Sequence, residues 1–97
     1  MTGPLSKIEL APRAIRDIRH LDRSTRKRVQ LAFEALAADA ANLEIKQIAG
    51  HAPWRRLRVG EHRVIYRSTN AAGAADPRYL VARVTDRRDL HRAIDKL

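Results

Sequence analysis

Cysteine is absent from the 97 residues, which excludes disulfides, thiolate nucleophiles and cysteine-ligated zinc. Aromatic side chains are scarce: one Trp, one Phe and two Tyr. No apolar run approaches the roughly 18 residues that a membrane-spanning helix needs. No signal-peptide pattern opens the chain, so a reducing cytoplasm is the expected compartment and no membrane is expected as a partner. Acidic residues are the other shortage. Asp and Glu total 11 against 20 Lys and Arg, giving a net charge of +9. Lysine contributes only four of those cations and none between Gln47 and Asp95, so arginine carries the charge.

What remains is a modest apolar set dominated by ten Leu, seven Ile and five Val, with 16 Ala. That suffices for one core and one domain over residues 1–97, and it excludes a disordered basic tail. Residues 5–10 alternate and predict a short strand. Pro12 suits the first turn of a helix, and Ala14, Ile15, Ile18 and Leu21 form its stripe, so a helix is predicted over 12–21. After Asp22 and Ser24 as capping residues, Val29, Ala32, Phe33, Leu36, Ala37 and Ala40 repeat at helical spacing over 24–40. The two helices form a hairpin. Residues 42–53 read as a connector with Leu43, Ile45 and Ile48 to bury.

Strands are predicted at 54–59 and 62–67, joined by Gly60-Glu61 as a two-residue type II′ turn. Residues 68–77 form a loop. Tyr79–Thr85 is a further strand with Leu80, Ala82 and Val84 on one face, and Thr85 or Asp86 caps a last helix carrying Leu90, Ala93, Ile94 and Leu97. The order β-α-α-β-β-β-α implies an α+β fold. A small, largely antiparallel four-stranded sheet carries the helix hairpin on one face, with the helices packed on one side.

Charge is concentrated. Residues 54–67 carry +4, from Arg55, Arg56, Arg58, Arg63 and Arg67 against Glu61, and residues 83–92 carry +2. The two-residue turn fixes the hairpin register: Val59 opposite His62, Arg58 opposite Arg63, Leu57 opposite Val64 and Arg56 opposite Ile65. Alternation then places Leu57 and Val64 on one face and Arg56, Arg58 and Arg63 on the other. Two arginines directly opposite each other repel by ~0.2–1 kcal/mol, and a bound anion offsets that repulsion. The other reading of this face is the solvated side of a half-covered sheet. In the last helix Arg87 and His91 stand four apart, beside the row of Arg88 and Arg92. A histidine at position 91 is a residue type that can move a proton. No phosphate-cradling glycine loop, paired-histidine metal spacing or serine nucleophile context occurs. Trp54 suits either a base stack or the core.

Three segments together resemble the RelE/ParE superfamily of bacterial toxins, and within it the RelE-type messenger-RNA interferases. They are Ile48-Ala49-Gly50; the run from Trp54 to Tyr66 with its Leu-Arg-x-Gly-x-x-Arg-hydrophobic-hydrophobic-Tyr pattern; and Ala82 to Arg92 with its Arg-Arg-Asp-Leu-His ending. The resemblance covers nearly the whole chain. It implies a toxin that cuts messenger RNA in the ribosomal A site, the RNA's own 2′-hydroxyl attacking the adjacent phosphate, without metal or other cofactor. By position it implies Arg56 as a basic catalytic residue, Arg63 as the phosphate-binding arginine, and Arg87 as the group stabilising the transition state. His91 falls where many members have tyrosine. Arg55, Arg58, Arg67, Arg88 and Arg92, with Trp54, are the expected RNA-binding surround. Trp54 replaces a lysine present in some members. His91, then His62, then Glu44 are the candidates for the proton acceptor.

The resemblance also implies partners. One is a cognate antitoxin with an acidic, largely disordered segment, in a hetero-oligomeric complex. The others are the messenger RNA on the ribosome and the small subunit's ribosomal RNA around the decoding site. A ParE-like gyrase poison and a plain nucleic-acid-binding module are the rival readings.

Overall fold

The computed structural model describes residues 7–70 and 75–97. The chain runs β1 (Ile8–Leu10), α1 (Pro12–Arg19), α2 (Arg23–Ala37), β2 (Ile45–Gln47), β3 (Arg55–Val59), β4 (His62–Ser68), β5 (Tyr79–Asp86), a 3-10 turn (Arg87–Asp89) and α3 (Leu90–Ile94). The sheet order is β1-β5-β4-β3-β2. β1 lies parallel to β5 and the other pairs are antiparallel. The α+β class and the helix hairpin follow the sequence expectation. Residues 5 and 6 of the expected first strand, and 71–74 of the expected loop, lie outside the described residues.

The sheet has five strands where four were expected. The additional strand is β2, inside the 42–53 connector, pairing Ile45, Lys46 and Gln47 with Leu57, Arg56 and Arg55. Three residues are too few to display an alternation. The pairing is dictated by β3, whose outer edge would otherwise be bare.

The β3–β4 register is the expected one, including Arg58 opposite Arg63. Gly60 has φ +58 and Glu61 is not left-handed, which fits a type II′ turn. Leu57 and Val64, both 0% exposed, join Val29, Phe33 and Leu36 of α2 and Ala14 of α1 in the main core. Ile15, expected in the α1 stripe, is exposed instead. α2 stops at Ala37 because Asp39 takes a left-handed φ of 55, which ends the helical run.

β4 and β5 slip register between Ile65, opposite Arg83, and Tyr66, opposite Val81. Ala82 is the bulged residue, and a one-residue slip exchanges faces. Val81 and Val84 therefore both reach the main core, while Ala82 turns to the opposite side. The expected single face of Leu80, Ala82 and Val84 does not form.

α3 also corrects an expectation. It is not on the hairpin side: Leu90 and Ala93 pack with Ile48 and Ile65, against Trp54 and Ala82, on the other face of the sheet. The helices thus cover both faces, α3 only in part. Past the end of β1, the open edge of β5 is closed by Asp17 of α1. Its carboxylate accepts from the Val84 amide at 2.9 Å and from Arg83 Nε at 2.8 Å. This pairing holds the Arg83 guanidinium above its usual pKa.

Candidate nucleic-acid interface

On the face opposite the helix hairpin, α3 covers the β5 side and leaves the β2–β3–β4 side bare. The bare part is a cleft of about 270 Å³ lined by Leu43, Glu44, Ile45, Lys46, Arg56, Arg58 and Arg63. Register explains the cations. Lys46 stands opposite Arg56, and Arg56 opposite Ile65. Two residues along, Arg58 stands opposite Arg63, and Arg63 opposite Thr85. Ile65 and Thr85, the cross-strand neighbours of Arg56 and Arg63, are buried.

The two facing arginines are drawn apart by different tethers. Arg58 reaches outward to the Glu44 carboxylate at 3.4 Å. Arg63 folds back, its Nη1 donating to the carbonyls of Gly60 at 3.0 Å and His62 at 2.9 Å. The Arg58–Glu44 pair is more than half exposed on both sides, and such pairs are worth ~0–1 kcal/mol. An incoming phosphate can displace Glu44 from Arg58 at little cost.

Arg87 lies in the 3-10 turn, where its backbone N–H donates to the Glu61 carbonyl at 2.9 Å and its guanidinium forms an ion pair with the Glu61 carboxylate, Nε to Oε2, also at 2.9 Å. That amide bond extends the β4–β5 ladder by one pair past His62 and Asp86. Alternation puts Arg87 on the cleft face, diagonal to Arg63. It does not line the cleft itself. His91 is exposed on α3 and is not among the cleft residues. The expected stack of Arg87 on His91 presupposed one continuous α-helix; the 3-10 turn between them changes the angular spacing. His62 alternates to the hairpin side, where with His20 and Asp86 it lines a separate surface cleft.

The surround divides in the same way. Arg67 lies over the Trp54 ring at 5.7 Å from its centroid, and Trp54 packs against the small core under α3. Arg55 stands opposite Tyr66, on the hairpin side with Leu57. Burial raises the Tyr66 phenol above its usual pKa, with nearby Arg55 opposing. Arg88 pairs with Asp86 at 3.1 Å, which also accepts from the Arg88 amide. Those two bonds hold the Asp86 carboxyl below the usual carboxylate range. Arg92 is exposed on α3.

Lys46 escaped the sequence reading, because its place beside Arg56 follows only from the β2 pairing. Glu61 escaped it too, its carboxylate having no visible partner in a linear chain. Among the described residues no three His, Cys, Asp or Glu side chains are grouped to hold a metal ion, and no helix is long and apolar enough to cross a membrane.

No curated protein matches the sequence. Among solved structures, the chain is similar in fold to one from the RelB–RelE antitoxin–toxin complex of Methanococcus jannaschii, at 24% identity over 87% of this chain and 95% of that one, with a TM-score of 0.65. It is also similar to one from the archaeal RelE–RelB complex of Pyrococcus horikoshii OT3, at 15% identity over 82% and 92%, with a TM-score of 0.62. The family model for the ParE toxin of the parDE type II toxin–antitoxin system matches residues 8–91. That span holds the hairpin, the whole arginine cleft and Arg87, and the chain accordingly belongs to the ParE toxin family, within the RelE/ParE superfamily of type II toxin–antitoxin toxins.

Proposed function

We propose that this toxin is a metal-independent endoribonuclease that cuts messenger RNA in the ribosomal A site. The observation that carries the reading is the cleft lined by Arg56, Arg58, Arg63 and Lys46 together with one carboxylate, Glu44, which pairs with Arg58. Four cations converging on an open sheet face suit a phosphodiester, and a gyrase-binding protein has no need of a carboxylate among them. In this reading the scissile phosphate displaces Glu44 from Arg58 and is held by Arg63 and Arg56. The 2′-hydroxyl attacks phosphorus and gives its proton to Glu44. The bond from phosphorus to the 5′ oxygen breaks, that oxygen takes a proton from water, and the hydroxide left recovers the proton held by Glu44. The products are a 2′,3′-cyclic phosphate and a 5′-hydroxyl. Arg87, on the same face, offsets charge developing on the phosphoryl oxygens. Glu44 therefore moves ahead of His91 and His62 as proton acceptor, because it alone of the three lines the cleft.

The partners in this reading are messenger and ribosomal RNA, and an antitoxin whose acidic segment neutralises part of the +9 charge. The neighbouring structures, both antitoxin–toxin complexes, support the latter.

The family match itself favours a second reading, in which the protein poisons DNA gyrase and leaves RNA intact. End-group analysis of messages incubated with the toxin and programmed ribosomes separates the two. New 2′,3′-cyclic phosphate ends, lost when the scissile nucleotide carries a 2′-O-methyl group, support the nuclease. Intact messages together with inhibited supercoiling by gyrase support the other reading.

A further inference from the structure

The two-residue turn between β3 and β4 does more than close a hairpin. Arg63 and Arg87 come from different elements, yet both are tied to it: Arg63 through the Gly60 carbonyl, Arg87 through the backbone and the carboxylate of Glu61. The Arg87 amide bond to Glu61 continues the ladder one step past Asp86, which sets Arg87 diagonal to Arg63 across it. The Glu61 carboxylate takes Arg87 through Nε, which leaves the two terminal nitrogens of the planar fork to bind an anion. We propose that Glu61 is a positioning residue: its carboxylate orients Arg87 toward the phosphate held by Arg63. The proposal rests on the nuclease reading.

The pair is exposed on both sides, 62% for Arg87 and 66% for Glu61, so it contributes little to the stability of the fold. Its effect lies in orientation, since an unrestrained arginine samples many rotamers and small misplacements are costly in rate. The opposite expectation comes from charge alone. Glu61 is the only acid within residues 54–67, and removing it makes the toxin more cationic and its hold on RNA tighter.

Glu61→Gln separates these effects. Single-turnover cleavage of a message on programmed ribosomes, ribosome affinity and melting temperature are measured for wild type, Glu61→Gln, Arg87→Ala and the double variant. The expected result is a cleavage rate about tenfold lower for Glu61→Gln, with ribosome affinity equal or higher and melting unchanged. In the Arg87→Ala background, Glu61→Gln produces no further loss. An unchanged or faster rate for Glu61→Gln overturns the proposal, as does an equal loss in both backgrounds or a loss that tracks a lower melting temperature. Wild-type cleavage by Arg87→Ala also overturns the proposal, whereas no cleavage by the wild type instead overturns the nuclease reading on which it stands.

Discussion

The two faces of the central sheet are built by the same strands to opposite purposes. Toward α1 and α2, β3 and β4 present Leu57, Val59, Val64 and Tyr66, all buried. Toward the other side the intervening residues of the same strands present Arg56, Arg58 and Arg63 around a bare cleft. A period of two thus separates an apolar core face from a cationic face within a dozen residues. The comparison teaches where each kind of change is felt. Substitutions on the hairpin face act on folding, and substitutions on the cleft face act on whatever anion binds there.

The largest effect sharpens the cleft side. If Glu44 accepts the proton, Glu44→Gln lowers single-turnover cleavage by roughly 10²–10⁴-fold with melting unchanged. On the other face, Leu57→Ala leaves a cavity among fully buried neighbours and costs ~2–5 kcal/mol. For a domain of this size that lowers the melting temperature by roughly 10 °C or more, and cleavage below the transition is retained. Asp17→Ala probes the edge where the faces meet. It leaves the Val84 amide without its acceptor and Arg83 without its partner, at ~1–3 kcal/mol in thermal or denaturant unfolding. The smallest effect belongs to His91→Ala. An exposed residue outside the cleft shifts stability by less than ~0.5 kcal/mol, and the cleavage rate stays within about twofold. A loss as large as that of Glu44→Gln would return the proton to His91 and break the division between cleft and helix.

The cleft-forming hairpin was legible from the sequence because its loop has two residues. That length alone fixes the partner of every strand position from Arg56 to Arg63, and hence the shared face of the three arginines. The helix hairpin was legible for a similar reason, its apolar spacing over Val29 to Ala37 having one periodic solution. What escaped was set at long range. β2 exists because β3 offers it an edge, so Lys46 could not be placed beside Arg56. The bulge at Ala82 reverses a face without a glycine or proline to mark it. The side taken by α3 depends on Ile65, the one buried aliphatic that β4 turns toward the arginine face. Arg55 and Arg56, adjacent and alike in the chain, fall on opposite sides of the sheet, so charge density alone did not show which arginines share the cleft.

On the proposed function, the arginine face cuts messages on ribosomes. This is tested most directly by primer-extension mapping of a translated message in cells expressing wild type or Arg63→Ala at equal levels. The account predicts new 5′ ends within A-site codons for the wild type. It predicts a loss of those ends by roughly 10²–10³-fold for Arg63→Ala, with the melting temperature of the variant unchanged. Growth arrest by the wild type without new ends, or ends that persist in Arg63→Ala, would contradict it.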